Sequence, residues 1–197
     1  ETGRALDIVH NNNGESWISI GVQRNSTEGG TSTFSGSAYL YKSTDNFASI
    51  TNWNGSSVNT KIPLTASDAS GGDQFGYDLS MVSSSQGVFT LVGAPNEDTG
   101  GSMAGSAYLF RTHGGTTSQV VLFRNPRTED SDGAGIATDY YGGSVDIVTG
   151  SDGLFCSIAA SSRDTPINSA GGVNYLYKIT GSTFNDVSLI EKVYSPN

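Results

Sequence analysis

Asp73-Gln74-Phe75-Gly76-Tyr77-Asp78-Leu79-Ser80-Met81-Val82, then Val88-Phe89-Thr90-Leu91-Val92-Gly93-Ala94-Pro95, then Gly105-Ser106-Ala107-Tyr108-Leu109-Phe110-Arg111 is the stretch whose reading decides the fold. It holds three short apolar runs of strand character separated by small polar turns. Imperfect copies lie on both sides. Leu6-Asp7-Ile8-Val9 and Val145-Asp146-Ile147-Val148 match the first run, and Trp17 to Val22 and Leu154 to Ala160 match the second. Gly36-Ser37-Ala38-Tyr39-Leu40-Tyr41-Lys42 and Gly172-Val173-Asn174-Tyr175-Leu176-Tyr177-Lys178 match the third.

Asn13-Gly14, Gln86-Gly87 and Asp152-Gly153 join the first run to the second, placing glycine where a tight hairpin needs a positive φ. Weaker fourth strands follow at Ser57 to Leu64, Gln119 to Arg124 and Asp186 to Tyr194. The unit is therefore a four-stranded antiparallel meander of about 67 residues, recurring at 4–72, 73–138 and 139–197. An all-β fold of propeller blades is expected. Glu1-Thr2-Gly3 precedes the first copy and reads as a short expression remnant left after signal cleavage.

Phe75-Gly76 at the head of the first strand and Val92-Gly93-Ala94-Pro95 at the end of the second resemble the FG-GAP repeat, the blade of the integrin α-subunit propeller and of related microbial surface proteins. Tyr141-Gly142 with Ile158-Ala159-Ala160 is similar in weaker form, and Ile20-Gly21-Val22 is a worn third copy. Three blades are fewer than the four to eight with which propellers close. The chain is a piece of a larger propeller, or several chains complete a ring, or the first segment pairs with the last blade in a small closed form.

The resemblance implies a non-enzymatic extracellular recognition or adhesion module. Its partner, a protein or a glycan, would meet the face bearing the loops from strand 2 to 3 and from strand 4 to 1. Asn96, Glu97 and Asp98, with Arg163 and Asp164 and the segment holding Glu129, Asp130 and Asp132, would form that surface. These loops carry ten of the nineteen carboxylates, including Glu28, Asp68, Asp73 and Asp139. Lys42, Arg111 and Lys178 fall at matching positions toward the other face. Such an acidic face steers a cationic partner or a divalent metal, or simply keeps a secreted β-protein soluble.

Many integrin-type blades hold calcium between their first and second strands, but the connections here, His10 to Glu15, Ser83 to Gln86 and Thr149 to Asp152, offer at most one carboxylate before the glycine. Asp130-Ser131-Asp132-Gly133 is the better calcium candidate, through Asp130 and Asp132. Asn25-Ser26-Thr27 and Asn54-Gly55-Ser56 are glycan acceptor triplets, at Asn25 and Asn54.

The remaining chemistry is sparse. A net charge of −9 argues against a nucleic-acid partner, and no stretch is long and apolar enough to span a membrane. Cys156, the one cysteine, alternates into a strand and reads as a small buried hydrophobe, and His10 and His113 read as solvated. No nucleophile–base set, histidine metal pair or phosphate loop appears. The aromatics of the third strands, Tyr39, Tyr41, Tyr108, Phe110, Tyr175 and Tyr177, recur at the same two positions in each unit, as residues that fill the space between blades do. The alternative to a recognition module is a self-assembling subunit whose exposed edges join copies into a ring or fibre, and a third reading is a carbohydrate-active propeller. Trp17 fits the second strand, and Trp53 is placed in a loop or rim.

Overall fold

The computed structural model describes residues 3–11, 13–24, 34–44, 47, 59–126, 138–162 and 171–194. Among these there is no helix, and twelve strands form three antiparallel sheets of four. Blade 1 contains β1 (Ala5–His10), β2 (Ser16–Val22), β3 (Ser37–Ser43) and β4 (Asn59–Leu64). Blade 2 contains β5 (Leu79–Ser84), β6 (Gly87–Ala94), β7 (Ser106–His113) and β8 (Thr116–Arg124). Blade 3 contains β9 (Tyr141–Gly150), β10 (Gly153–Ala160), β11 (Val173–Thr180) and β12 (Asp186–Tyr194). Each blade is a meander in chain order, as the repeat predicts. Residues 57 and 58 of the expected fourth strand lie outside the described residues, and β8 begins three residues earlier than expected.

The registers put the repeats in one frame. Ile20, Val92 and Ile158 pair with Leu6, Leu79 and Val145 on one side and with Tyr39, Tyr108 and Tyr175 on the other. Successive blades then stack face to face. β1 packs on β5, and β9 packs on β5 and β6, so among the described residues the row is open and blade 3 does not close onto blade 1 in a small ring. The apolar core is accordingly two layers, one per junction. Trp17, Leu40, Leu79, Met81, Val92 and Tyr108 fill the first, and Phe89, Leu91, Leu109, Val145, Ile158 and Tyr175 fill the second.

The Phe-Gly and Tyr-Gly pairs are the joints of this stack. The Phe75 N–H donates to the Ser35 carbonyl at 2.9 Å and the Tyr141 N–H to that of Ala104 at 3.1 Å, so each lead-in turn is hydrogen-bonded to the preceding blade. Gly76 and Gly142, at φ 83° and 89°, bring their carbonyls against Gly21 and Gly93, where an added Cβ would lie 2.1 and 2.0 Å from oxygen. The aromatic of each pair turns into its own blade. Phe75 meets Tyr108 and Phe110 edge-on, and Tyr141 meets Tyr175 edge-on while donating to the Tyr177 hydroxyl at 2.9 Å. These aromatics are all buried, as expected of inter-blade residues; Tyr39 and Tyr41 of blade 1 are only half-buried.

Gly3 has the backbone of a lead-in glycine. Its φ is 78° and its N–H donates to Gly21 at 3.2 Å, just as the Gly76 N–H donates to Gly93 at 3.0 Å. Gly3 thus occupies the lead-in glycine position of blade 1. Cys156 is fully buried, and burial raises its thiol to about 12. Trp17 lies in β2 and is buried, whereas Trp53 is outside the described residues.

Candidate functional site

The 2–3 and 4–1 loops share one face. The Asn96 N–H donates to the Asp73 carbonyl within blade 2, the Ser162 N–H to the Asp139 carbonyl within blade 3, and the Tyr140 N–H to the Met103 carbonyl across the two blades. At the centre of this face lies a concave cup of about 510 Å³. It is built from equivalent positions of the three blades. The residue after the lead-in glycine contributes Arg4, Tyr77 and Gly143, and the two residues after the second strand contribute Gln23-Arg24, Pro95-Asn96 and Ser161-Ser162.

Two further positions come from the residue preceding each lead-in aromatic, Gln74 and Tyr140. Both are left-handed, at φ 59° and 54°, a conformation costing about 1–2 kcal/mol for a residue with a side chain. The lead-in turn therefore holds its cup residues in a strained but fixed position. The Arg4 guanidinium lies 3.8 Å from the centroid of the Tyr77 ring, a cation–π contact that orients it. Arg4 and Arg24 are exposed, and among the described residues that line the cup there is no carboxylate.

The loop carboxylates that can be placed mostly point inward. Asp73, Glu97 and Asp139 are each at most 3% exposed. Glu97 accepts from the Thr99 N–H and the Ser106 hydroxyl, both at 2.8 Å, and lies 3.7 Å from Arg124. Arg124 also pairs with Asp68 at 2.9 Å, and Asp68 accepts from the Tyr108 hydroxyl at 2.8 Å. Asp139 accepts from the Asn125 amide at 2.8 Å, and Asp73 from the Ser70 N–H at 2.6 Å. Burial, together with the charges of Glu97, Asp98 and Asp68, raises the Asp73 carboxyl to about 6 against the lowering pull of the Ser70 N–H. These groups tie the loops to the strands. Asp98 alone of the five described is exposed.

Of the residues named for partner binding, Asn96 lines the cup, Asp98 stands exposed two residues further on, and Glu97 is turned into blade 2. Glu129, Asp130, Asp132, Arg163 and Asp164 lie outside the described residues, as do Asn25 and Asn54. Among the described residues no group of three or more His, Cys, Asp or Glu is placed to hold a metal. On the opposite face Lys42 pairs with Glu15 and Lys178 with Asp152, so two of the three matched cations are neutralised within their own blades. Arg111 donates from Nε to the Gln86 carbonyl at 2.8 Å.

Sequence reasoning missed Arg4, Gln23, Arg24, Gln74, Tyr77 and Tyr140. The usable signal was positional: each is the counterpart, in another blade, of a residue beside a motif already recognised.

Residues 60–110 match the FG-GAP repeat family. The matched stretch runs from β4 through the Phe75-Gly76 turn and Val92 to Pro95 into β7, so it spans the junction of blades 1 and 2. No curated protein matches the chain. Among the described residues no helix is long and apolar enough to cross a membrane.

Proposed function

We propose that the chain is a non-enzymatic, extracellular recognition module that meets a protein partner at the cup, and that the partner presents an acidic side chain there. The carrying observation is that three blades converge on one concave surface whose described lining holds Arg4 and Arg24, the first set against the Tyr77 ring. Arginine beside tyrosine is the composition of protein-binding anchors, and a guanidinium takes a carboxylate through two parallel hydrogen bonds. The FG-GAP match supports the same reading, since that repeat builds propeller-type modules common in adhesion and recognition.

The test uses a glutamate-rich peptide in fluorescence anisotropy, with a carboxylated polysaccharide in parallel. Arg4→Ala with Arg24→Ala should weaken peptide binding tenfold or more, and Lys192→Ala, on the outer strand of blade 3, should leave it unchanged. Binding of the polysaccharide alone would assign a glycan instead of a protein. Peptide binding indifferent to both arginines would overturn the assignment of the cup.

A further inference from the structure

On the face opposite the cup, the two gaps between blades are built alike and finished differently. In each, an aromatic of the earlier blade's second strand pairs across to a cation of its third strand, Trp17 to Lys42 in blade 1 and Phe89 to Arg111 in blade 2. The later blade supplies a wall from its hairpin glycine and the apolar residue after it, Gly87-Val88 in blade 2 and Gly153-Leu154 in blade 3.

The difference lies in the turn between the third and fourth strands of the later blade. β11 and β12 are joined by five residues, 181–185, and the fourth of them, Phe184, is buried in the gap between blades 2 and 3. Its ring is 4.6 Å from that of Phe89 and 5.1 Å from the Arg111 guanidinium. β7 and β8 are joined by Gly114-Gly115 alone, a left-handed pair at φ 59° and 81° that makes a tight hairpin and carries no side chain. Blade 2 thus has no counterpart of Phe184 to lay over Trp17.

The gap between blades 1 and 2 is left as a cavity of about 470 Å³, against about 340 Å³ beside Phe184, even though Trp17 is larger than Phe89. Among the described residues its apolar part is Trp17, Ile62 and Val88, and its polar part includes Asn13, Lys42 and His113. An apolar concavity with a few polar groups is the composition of a ligand pocket. The Lys42 ammonium stands 5.4 Å from the Trp17 ring centroid. The Trp17 indole N–H is buried without a hydrogen bond of good geometry, and Glu15, the acceptor it leans toward, is taken up by Lys42 and, at 2.8 Å, by the Asn11 amide.

We propose that this gap is a second binding site, which takes a phenylalanine or tyrosine side chain presented on a turn of a partner protein. The partner completes the first gap as Phe184 completes the second, with its ring against Trp17 and the third-strand cation beside it. A carbonyl or phenol oxygen of the partner can supply the acceptor for the indole N–H. A tight turn suffices to present such a ring: Phe184 is left-handed at φ 57°, with its N–H donating to the Gly181 carbonyl at 3.3 Å. The site lies away from the cup and holds or fails independently of what the cup binds.

The probe is N-acetyl-tyrosinamide, titrated into the ¹⁵N-labelled chain and read at the Trp17 indole N–H, which is identified by its loss in Trp17→Phe. Saturable shifts at that indole and at the Val88 and His113 amides, with a dissociation constant of about 1 mM, are expected. N-acetyl-leucinamide should bind about fivefold more weakly or worse. Replacing Gly114-Gly115 by a copy of the 181–185 segment gives blade 2 its own phenylalanine and should abolish the shifts. The same graft with alanine in place of that phenylalanine should restore them. No shift of the Trp17 indole up to about 20 mM, equal binding of the leucine compound, or binding undiminished by the graft overturns the proposal. Tighter binding of free phenylalanine than of the amide also overturns it, since the site would then take an amino acid and not a partner's side chain. Should the graft fail to fold, the wild-type titration with its leucine comparison decides alone.

Discussion

Replacing Gly93 by alanine puts a methyl group against a carbonyl that has no room for it. Gly93 is outside the left-handed region, so the backbone accepts alanine and the effect is confined to the junction. The new Cβ would start 2.0 Å from the Gly142 oxygen, with the Gly142 carbonyl carbon at 3.0 Å. The Tyr141-Gly142 turn must retreat by about an ångström to reach the closest tolerable contact. That retreat strains the Tyr141 N–H bond to Ala104. Overpacking costs about 1–3 kcal/mol and a weakened buried hydrogen bond about 1 kcal/mol. Reduced freedom of the unfolded chain returns about 0.4–1 kcal/mol. A net loss of about 2–3 kcal/mol is expected in urea unfolding followed by circular dichroism. Ala159→Gly, the reverse change at the matching position of blade 3, should cost less than about 1 kcal/mol. If Gly93→Ala stays within about 0.5 kcal/mol of wild type, the close approach of Gly142 to Gly93 does not hold the blades together.

Asp73 sets a pH dependence. Because its carboxyl is raised in the folded protein from 3.8 to about 6, the stability it contributes is full below about 4 and is lost as the pH rises through about 6. The urea midpoint should therefore rise from pH 7 to pH 5, and Asp73→Asn should flatten that rise; Glu15 and Asp152, whose values are lowered, act only below this window. The buried Cys156 thiol, raised to about 12, should be inert to a thiol reagent at pH 8 and react once denaturant is added. Phe184 plugs the gap between blades 2 and 3, with its ring 4.6 Å from that of Phe89 and 5.1 Å from the Arg111 guanidinium. Phe184→Ala should lower stability by about 3 kcal/mol in the same unfolding assay.

Much of the architecture was legible because the third strands repeat with little change. Tyr39, Tyr108 and Tyr175 fixed the period, and the two hairpin glycines at Gly87 and Gly153 fixed where strands turn. The joints were half legible. Phe75-Gly76 marked a strand's beginning, but only the structure shows its carbonyl seated against the glycine of the blade before. Gly3 was missed because the aromatic that precedes the other two lead-in glycines is replaced by Thr2.

The site was read from charge, and charge in a loop does not reveal its direction. Asp73, Glu97 and Asp139 fall in loops but turn inward, where unpaired N–H and O–H groups need acceptors. Arg4 and Arg24 escaped notice for the opposite reason. Their counterparts are Tyr77 and Gly143, and Asn96 and Ser162, so no repetition drew attention to them. A position can be shared by all blades while the chemistry belongs to one.

The most direct test of the recognition reading is an amide NMR titration of the labelled chain with the glutamate-rich peptide. Shifts gathered at Arg4, Arg24, Tyr77, Asn96, Ser161 and Ser162, and lost in 0.5 M salt, are the predicted result. Shifts gathered instead at Gln86, Gly114 and Asp152 on the opposite face, or none at peptide concentrations of about 1 mM, would contradict it.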